Sequence, residues 1–259
     1  MGYLYAMRAA FICQWNLMMR YGGFWGFLGT LPYVIVLAWI ARASERSEVV
    51  TYMFFGAFLI IVWNFVVSRM GESLLQEWGE GTFDSTLVSK TPVMVVLVGK
   101  IMTFALFGPF LGLSGFLIVV LLSGRTVPIP NPPALAISLI SAMVAMVAVG
   151  FISAPLSVLT GGRYFSYFEM VRPLVMVFSG LIYPVALMSS ALQIIARGLP
   201  TSWAMDGLMG SVEVTASTGT LVASWGPAIV GSLIYFGMTY YLFKKAEARV
   251  RMSGVFGEF

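Results

Sequence analysis

Between two long apolar runs, residues 72–100 read ESLLQEWGEGTFDSTLVSKTPVMVVLVGK and hold Glu72, Glu77, Glu80 and Asp84, four of the chain's eleven acids. These residue types at this spacing make a docking element, not a reaction centre. Gly81 permits a sharp change of backbone direction. Thr82 can cap the first free amides of a helix, and Asp84 in the first turn suits the positive end of the helix dipole. Lys90 suits the other end, and Pro92 disfavours helix at Thr91. Phe83 and Leu87, four apart, form one apolar face. The spacing predicts a short amphipathic helix over 82–89. An ordinary acidic loop has the same composition, and the loop by itself leaves both readings open.

Elsewhere the sequence excludes more chemistry than it offers. There is no histidine, and Cys13 is the one cysteine. Histidine-ligated haem, a Ser-His dyad, most zinc sites, an iron–sulfur cluster and an internal disulfide all fall away. No G-x-x-x-x-G-K-S/T run is present, and Gly99-Lys100 lacks the earlier glycine, so there is no phosphate cradle of the P-loop kind. No catalytic residue and no metal site is assigned. Glu169 and Arg172, three apart, read as an interfacial pair at the start of a span in preference to a proton relay. Met143, Met146, Met170, Met176 and Met188, with Phe104, Phe107, Phe110 and Phe178, either line an apolar path or face lipid and neighbouring helices. Gly108, Gly112 and Gly115 read as a close helix-packing face.

The elements that must position these residues are membrane elements. The chain is 59 % hydrophobic and 10 % charged, whereas a soluble domain carries about 25 % charged residues. Lipid is therefore its expected solvent, and the fold class is an all-α integral membrane protein of one domain, 1–259. The expected spans are 24–41, 51–69, 93–122, 134–160, 171–188 and 225–243, six in all; a crossing needs ~17–25 residues, and 93–122, longer than that, is expected to begin at the interface and tilt. Residues 1–20 carry Arg8, Asn16 and Arg20 at multiples of four and are expected to lie in the interface as a helix. No cleavable signal sequence is expected, because Arg8, Gln14, Asn16 and Arg20 interrupt that apolar stretch. Residues 72–92 form the loop described above. Residues 189–219 hold apolar pieces too short to cross and read as an external re-entrant segment.

Basic residues set the orientation. Arg8, Arg20, Arg69, Lys90, Lys100, Arg163, Arg172, Lys244, Lys245, Arg249 and Arg251 fall on one side of these spans, and Arg42, Arg46, Arg125 and Arg197 on the other. Cytoplasmic loops carry the excess of Lys and Arg, so both termini and the 72–92 loop are expected in the cytoplasm. The net charge of +4 is spread along the chain and is no nucleic-acid signal.

The pattern Glu77-x-x-x-Gly81-Thr82-x-x-x-x-Leu87-x-x-x-x-Pro92, followed by Gly99-Lys100, resembles the signature loop of the type-2 ABC exporter permeases. The stretch Ser179-Gly-Leu-Ile-Tyr-Pro184 and the tail Phe243-Lys-Lys-Ala-Glu247 resemble the family more loosely, and the layout is similar along essentially the whole chain. The resemblance implies an interfacial N-terminal helix, six spans, a cytoplasmic coupling helix after the second, and short re-entrant helices before the last. It implies two copies of an ABC ATPase subunit, which would bind ATP and Mg while this chain holds no cofactor. It also implies a second permease subunit, identical or related, and a plasma-membrane location. The ATPase-coupling residues would be Glu77, Glu80, Gly81, Thr82, Phe83, Asp84, Leu87 and Pro92. The substrate expected is amphipathic or lipid-like: a drug, antibiotic, lipid or lipid-linked glycan. The competing reading is a structural or assembly subunit of a membrane complex with no transport path of its own.

Overall fold

A computed structural model describes residues 2–79, 81, 92–160, 163–213 and 217–253. The described residues are helical throughout their regular structure, with no strand. Among the described residues, five helical stretches are long and apolar enough to cross a membrane: Gly23–Ala43, Ser47–Ser73, Val93–Ser123, Pro132–Leu159 and Thr218–Arg249.

The chain opens with α1 (Gly2–Leu17), which passes through a π-helical turn, Met18–Gly22, into α2 (Gly23–Ala43). Arg8, Asn16 and Arg20 are all exposed, while Gln14 faces inward. The next helix, α3 (Ser47–Trp63), runs through a second π-helical turn, Asn64–Ser68, into α4 (Arg69–Gly79). Then come α5 (Val93–Ser123), α6 (Pro132–Phe151), α7 (Ser153–Leu159) and α8 (Arg163–Phe178). The short helices α9 (Ser190–Arg197) and α10 (Pro200–Val212) precede the long α11 (Thr218–Ser253).

The bundle is built around α3. Of the most apolar window of its crossing, 89 % is buried, against 28 % for α5 and 17 % for α11. Phe54, Leu59, Ile61, Trp63 and Phe65 are almost completely enclosed. The peripheral helices turn large apolar side chains outward instead, among them Trp39, Phe110, Leu121 and Tyr241. In water such a surface would be a liability, whereas in lipid it is the solvated face.

The expected glycine face is where α5 meets α3. A methyl group added at Gly112 would sit 2.9 Å from the Phe58 ring, and one at Gly108 3.3 Å from Val66 Cγ2. Small residues at this spacing let the two backbones approach. The start of α6 is also set locally: the Asn131 side chain accepts from the Ala134 amide at 3.1 Å, and Pro132 and Pro133 fill the first helical positions.

Three boundaries differ from the sequence expectation. The second span was placed at 51–69, but helix continues through α4 to Gly79 and takes up the first part of the 72–92 loop. No glycine or proline breaks the chain between Glu72 and Trp78, and Glu72 pairs with Arg69 one turn back at 2.9 Å. The last span was placed at 225–243, but α11 begins at Thr218 and carries the basic tail to Ser253 without a break.

The fifth span was expected over 171–188, but α8 begins at Arg163 and stops at Phe178. Its end is a Schellman cap. Gly180, at φ 73°, donates its amide to the Val177 carbonyl at 3.0 Å, and Leu181 donates to Met176 at 3.4 Å. With 16 residues, α8 is not among the five helices long enough to cross by themselves.

The segment expected at 189–219 is the pair α9 and α10. At 13 residues, α10 spans about 20 Å, short of the ~30 Å hydrocarbon core. It is not a surface helix: Ala204, Met205 and Leu208 are buried where it packs on α6 and α11. Trp225 of α11 donates to Ser138 Oγ at 2.8 Å, and Ser138 donates to the Gly207 carbonyl of α10 at 2.8 Å.

Candidate functional site

The helix α4 carries the acids that open the 72–92 loop, and one of them holds it to α5. Glu77 lies 2.7 Å from the Lys100 ammonium, which also donates to the Ser73 carbonyl at 3.4 Å. The Lys100 side chain is 8 % exposed and that of Glu77 21 %. Removing such charges from water costs several kcal/mol per ion unless they are paired. This pair therefore fixes the end of α4 on α5.

The N-terminal helix α1 packs over the same region. Gly99 leaves room for the Met7 carbonyl of α1, and Thr103 Oγ1 donates to the Phe11 carbonyl at 3.1 Å. Trp15 packs edge-on against Phe107 with ring centroids 5.6 Å apart. A groove of about 400 Å³ runs beside the pair, lined by Ala9, Cys13, Gln14, Ser73, Gln76 and Val96 among others.

Of the expected coupling residues, three are described. Glu77 is in the ion pair. Gly81 is exposed in a turn at φ 69°, with nothing within 4 Å of an added Cβ. Pro92 is exposed and sits immediately before the first turn of α5. Glu80, Thr82, Phe83, Asp84 and Leu87 lie outside the described residues, as does the helix expected over 82–89. The described part is thus the two feet of the loop, held together by Lys100 and Glu77.

A second polar cluster was not anticipated. Arg172 was read as half of an interfacial pair with Glu169, whose side chain lies outside the described residues. Arg172 itself lies within α8, half-buried, and also turns toward α3. Its Nη1 donates to Ser68 Oγ at 3.1 Å and to Asn64 Oδ1 at 3.5 Å. Both acceptors belong to the π-helical turn of the second crossing, a device that often marks functional sites. The Asn64 amide also donates to the Gly26 carbonyl of α2 at 3.5 Å.

Three helices therefore meet at one polar point inside an apolar bundle. Beside it is a pocket of about 70 Å³ lined by Thr30, Tyr33, Ile60, Trp63, Asn64, Arg172, Met176 and others. Trp63 is 1 % exposed, and its indole N–H has no hydrogen-bond partner among the described residues. Two signals in the sequence pointed here: an amide, Asn64, inside the apolar run 51–69, and an arginine inside 171–188.

The methionines and phenylalanines singled out in the sequence fall in different surroundings. Met146, Phe104 and Phe107 are in the core, Met170 and Phe110 face outward, and Met176 lines the pocket beside Arg172. No protein-family model matches the chain, and no curated protein matches it.

Proposed function

We propose that this chain is the permease subunit of a type-2 ABC exporter, moving an amphipathic or lipid-like substrate with ATP hydrolysed by a separate subunit. The observation that carries the reading is the loop 72–92 with its feet tied by the Lys100–Glu77 pair. A loop that transmits force must not slide at its base, and this one is secured to α5 under the cover of α1. The resemblance of Glu77, Gly81, Thr82, Leu87 and Pro92 to the family's loop supplies the partner.

In this reading two ATPase copies hold ATP and Mg, and a second permease subunit, identical or related, completes the path. The chain sits in the plasma membrane with both termini cytoplasmic. The sixth crossing is made by α8 together with residues 179–187. Phe83 and Leu87 enter an apolar cleft on the ATPase, as helix-in-groove contacts do, and Glu80 and Asp84 form a polar rim.

The test is efflux and ATPase co-purification for each variant. Truncating a buried apolar anchor costs ~2 kcal/mol or more, and a rim charge costs less. Phe83→Ala and Leu87→Ala are expected to uncouple hydrolysis from efflux in a subunit that still inserts, with Glu80→Ala milder. Normal complex formation and efflux in both apolar variants would return the loop to an ordinary acidic connection.

A further inference from the structure

We propose that the groove between α1, α4 and α5 binds an uncharged single-chain amphiphile by its hydroxyl-bearing head, an ester of the monoacylglycerol kind. The groove holds about 400 Å³, within the size range of ligand pockets. Its lining is of two kinds. Ala6, Ala9, Ala10, Cys13 and Leu17 of α1 with Val96 of α5 are small or apolar. From Ala6 to Leu17 this strip is about 16 Å long at the rise of a helix, a shape for one hydrocarbon chain. Gln14, Ser73 and the Lys100–Glu77 pair supply the polar part.

Gln14 identifies the head. It is 6 % exposed, lines the groove, and forms no hydrogen bond among the described residues. Buried polar groups are as a rule bonded, and a carboxamide has both an acceptor and donors to answer. A hydroxyl donates and accepts at one atom, so it can answer either end. A carboxylate or phosphate only accepts.

The charged groups of the lining do not select an ion. Lys100 and Glu77 are 2.7 Å apart, and Lys100 also donates to the Ser73 carbonyl. An anionic head there has Glu77 beside it, and a cationic head has Lys100. Each sign therefore meets repulsion as well as attraction, and an uncharged head meets neither.

The open side favours an amphiphile over a free polar solute. Ala9, Cys13 and Leu17, at intervals of four on one face of α1, are exposed, as is Ile12 beside them. Val96 and Lys100 belong to α5, one of the stretches long enough to cross a membrane. A head on Gln14 thus keeps its chain on a surface that hydrocarbon solvates.

Cys13 makes the experiment direct, because it is the one cysteine of the chain and lies exposed in the groove. The 259-residue protein is held in amphipol, free of detergents whose own hydroxyl heads would compete. The rate at which N-ethylmaleimide alkylates Cys13 then reports occupancy. 1-Monolauroylglycerol is expected to slow alkylation saturably, by about tenfold or more. Glycerol, dodecane, dodecyl phosphate and dodecyltrimethylammonium at the same concentration are expected to leave it near the unliganded rate. Gln14→Leu keeps the bulk and removes the amide. It is expected to raise the half-protecting concentration about fivefold or more, with the unliganded rate unchanged. Ala9 is exposed, so Ala9→Phe fills the groove from its open side without disturbing the core. It is expected to abolish protection, and it decides the matter should Gln14→Leu fail to fold.

Equal protection by dodecane or by either charged amphiphile would mean a coating of hydrocarbon with no site, and equal protection by glycerol a site for a free polyol. Either result overturns the proposal, as does no protection by 1-monolauroylglycerol or an unchanged half-protecting concentration in folded Gln14→Leu or Ala9→Phe. No ATPase enters the experiment, so its outcome is separate from that of the Phe83 and Leu87 variants.

Discussion

A lysine at the foot of a membrane helix is stable only if something answers its charge, and for Lys100 that is Glu77 at 2.7 Å. Breaking a buried pair by removing one partner costs about 3–5 kcal/mol, whereas replacing both groups by fitting apolar ones is near neutral. Lys100→Ala is therefore expected to unfold well below the parent protein in detergent, and the double variant Lys100→Met, Glu77→Leu to recover most of the loss. An equal loss in both would mean that packing, not charge, holds α4 on α5. Gly81 makes a complementary case. Its φ of 69° has open space around it, so the cost of a side chain comes from the backbone alone. Gly81→Val is expected to cost about 1–2 kcal/mol and Gly81→Asn less, read by thermal unfolding of the same preparation. The sequence showed both residues, Lys100 as an orientation signal and in the Gly99-Lys100 pair of the resemblance, but not the partner of its charge. A pairing between positions on different helices leaves no trace in local spacing.

At the scale of elements, what could be read was what local chemistry controls. Asn131-Pro-Pro starts α6 by capping, and Gly108, Gly112 and Gly115 seat α5 on α3, as their types and spacing imply. What could not be read was where a helix outruns its apolar core. Hydropathy falls off at Arg69 and at Phe243, yet α4 and α11 continue, because good helix formers, and in α4 the Arg69–Glu72 pair, sustain a helix in a polar setting. The reverse occurs at Ser179-Gly180. Hydropathy stays high, but Gly180 stops α8 with a left-handed cap, and Leu181 passes its carbonyl over Gly56 of α3 at 2.8 Å from where a methyl would sit. The Tyr52 hydroxyl of α3 donates to the Gly180 carbonyl and fastens the break in place. Gly180→Val puts a β-branched side chain at positive φ, and a Cβ there would already lie 3.2 Å from Val185 Cγ2. A loss of about 2–3 kcal/mol is expected, with Gly180→Asn losing less and Tyr52→Phe about 1 kcal/mol. Denaturant unfolding in detergent measures all three. A Gly180→Val protein as stable as the parent would mean that the cap does not set the end of α8.

The whole molecule poses one question that its elements leave open: how many times the chain crosses. Among the described residues five helical stretches are long enough by themselves, and an odd number of crossings would put residues 1 and 259 on opposite faces. The basic residues argue for an even number, with eleven on the side assigned to both termini and four on the other. The two are reconciled if α8 crosses with help. Its 16 residues make about 24 Å, and the capped turn beyond it, residues 179–187, supplies the remaining few ångströms of a ~30 Å core. Irregular backbone is tolerated at that depth only where protein covers it. Here Leu181 and Val185 are buried, and Tyr52 meets the Gly180 carbonyl. Reporter fusions before Gly2 and after Phe259 are accordingly expected to report the cytoplasmic side, and an insertion near Ser211 the opposite side. Opposite sides for the two ends would remove α8 as a crossing. They would also leave the 72–92 loop and the basic tail of α11 on different faces, where no single ATPase could reach both.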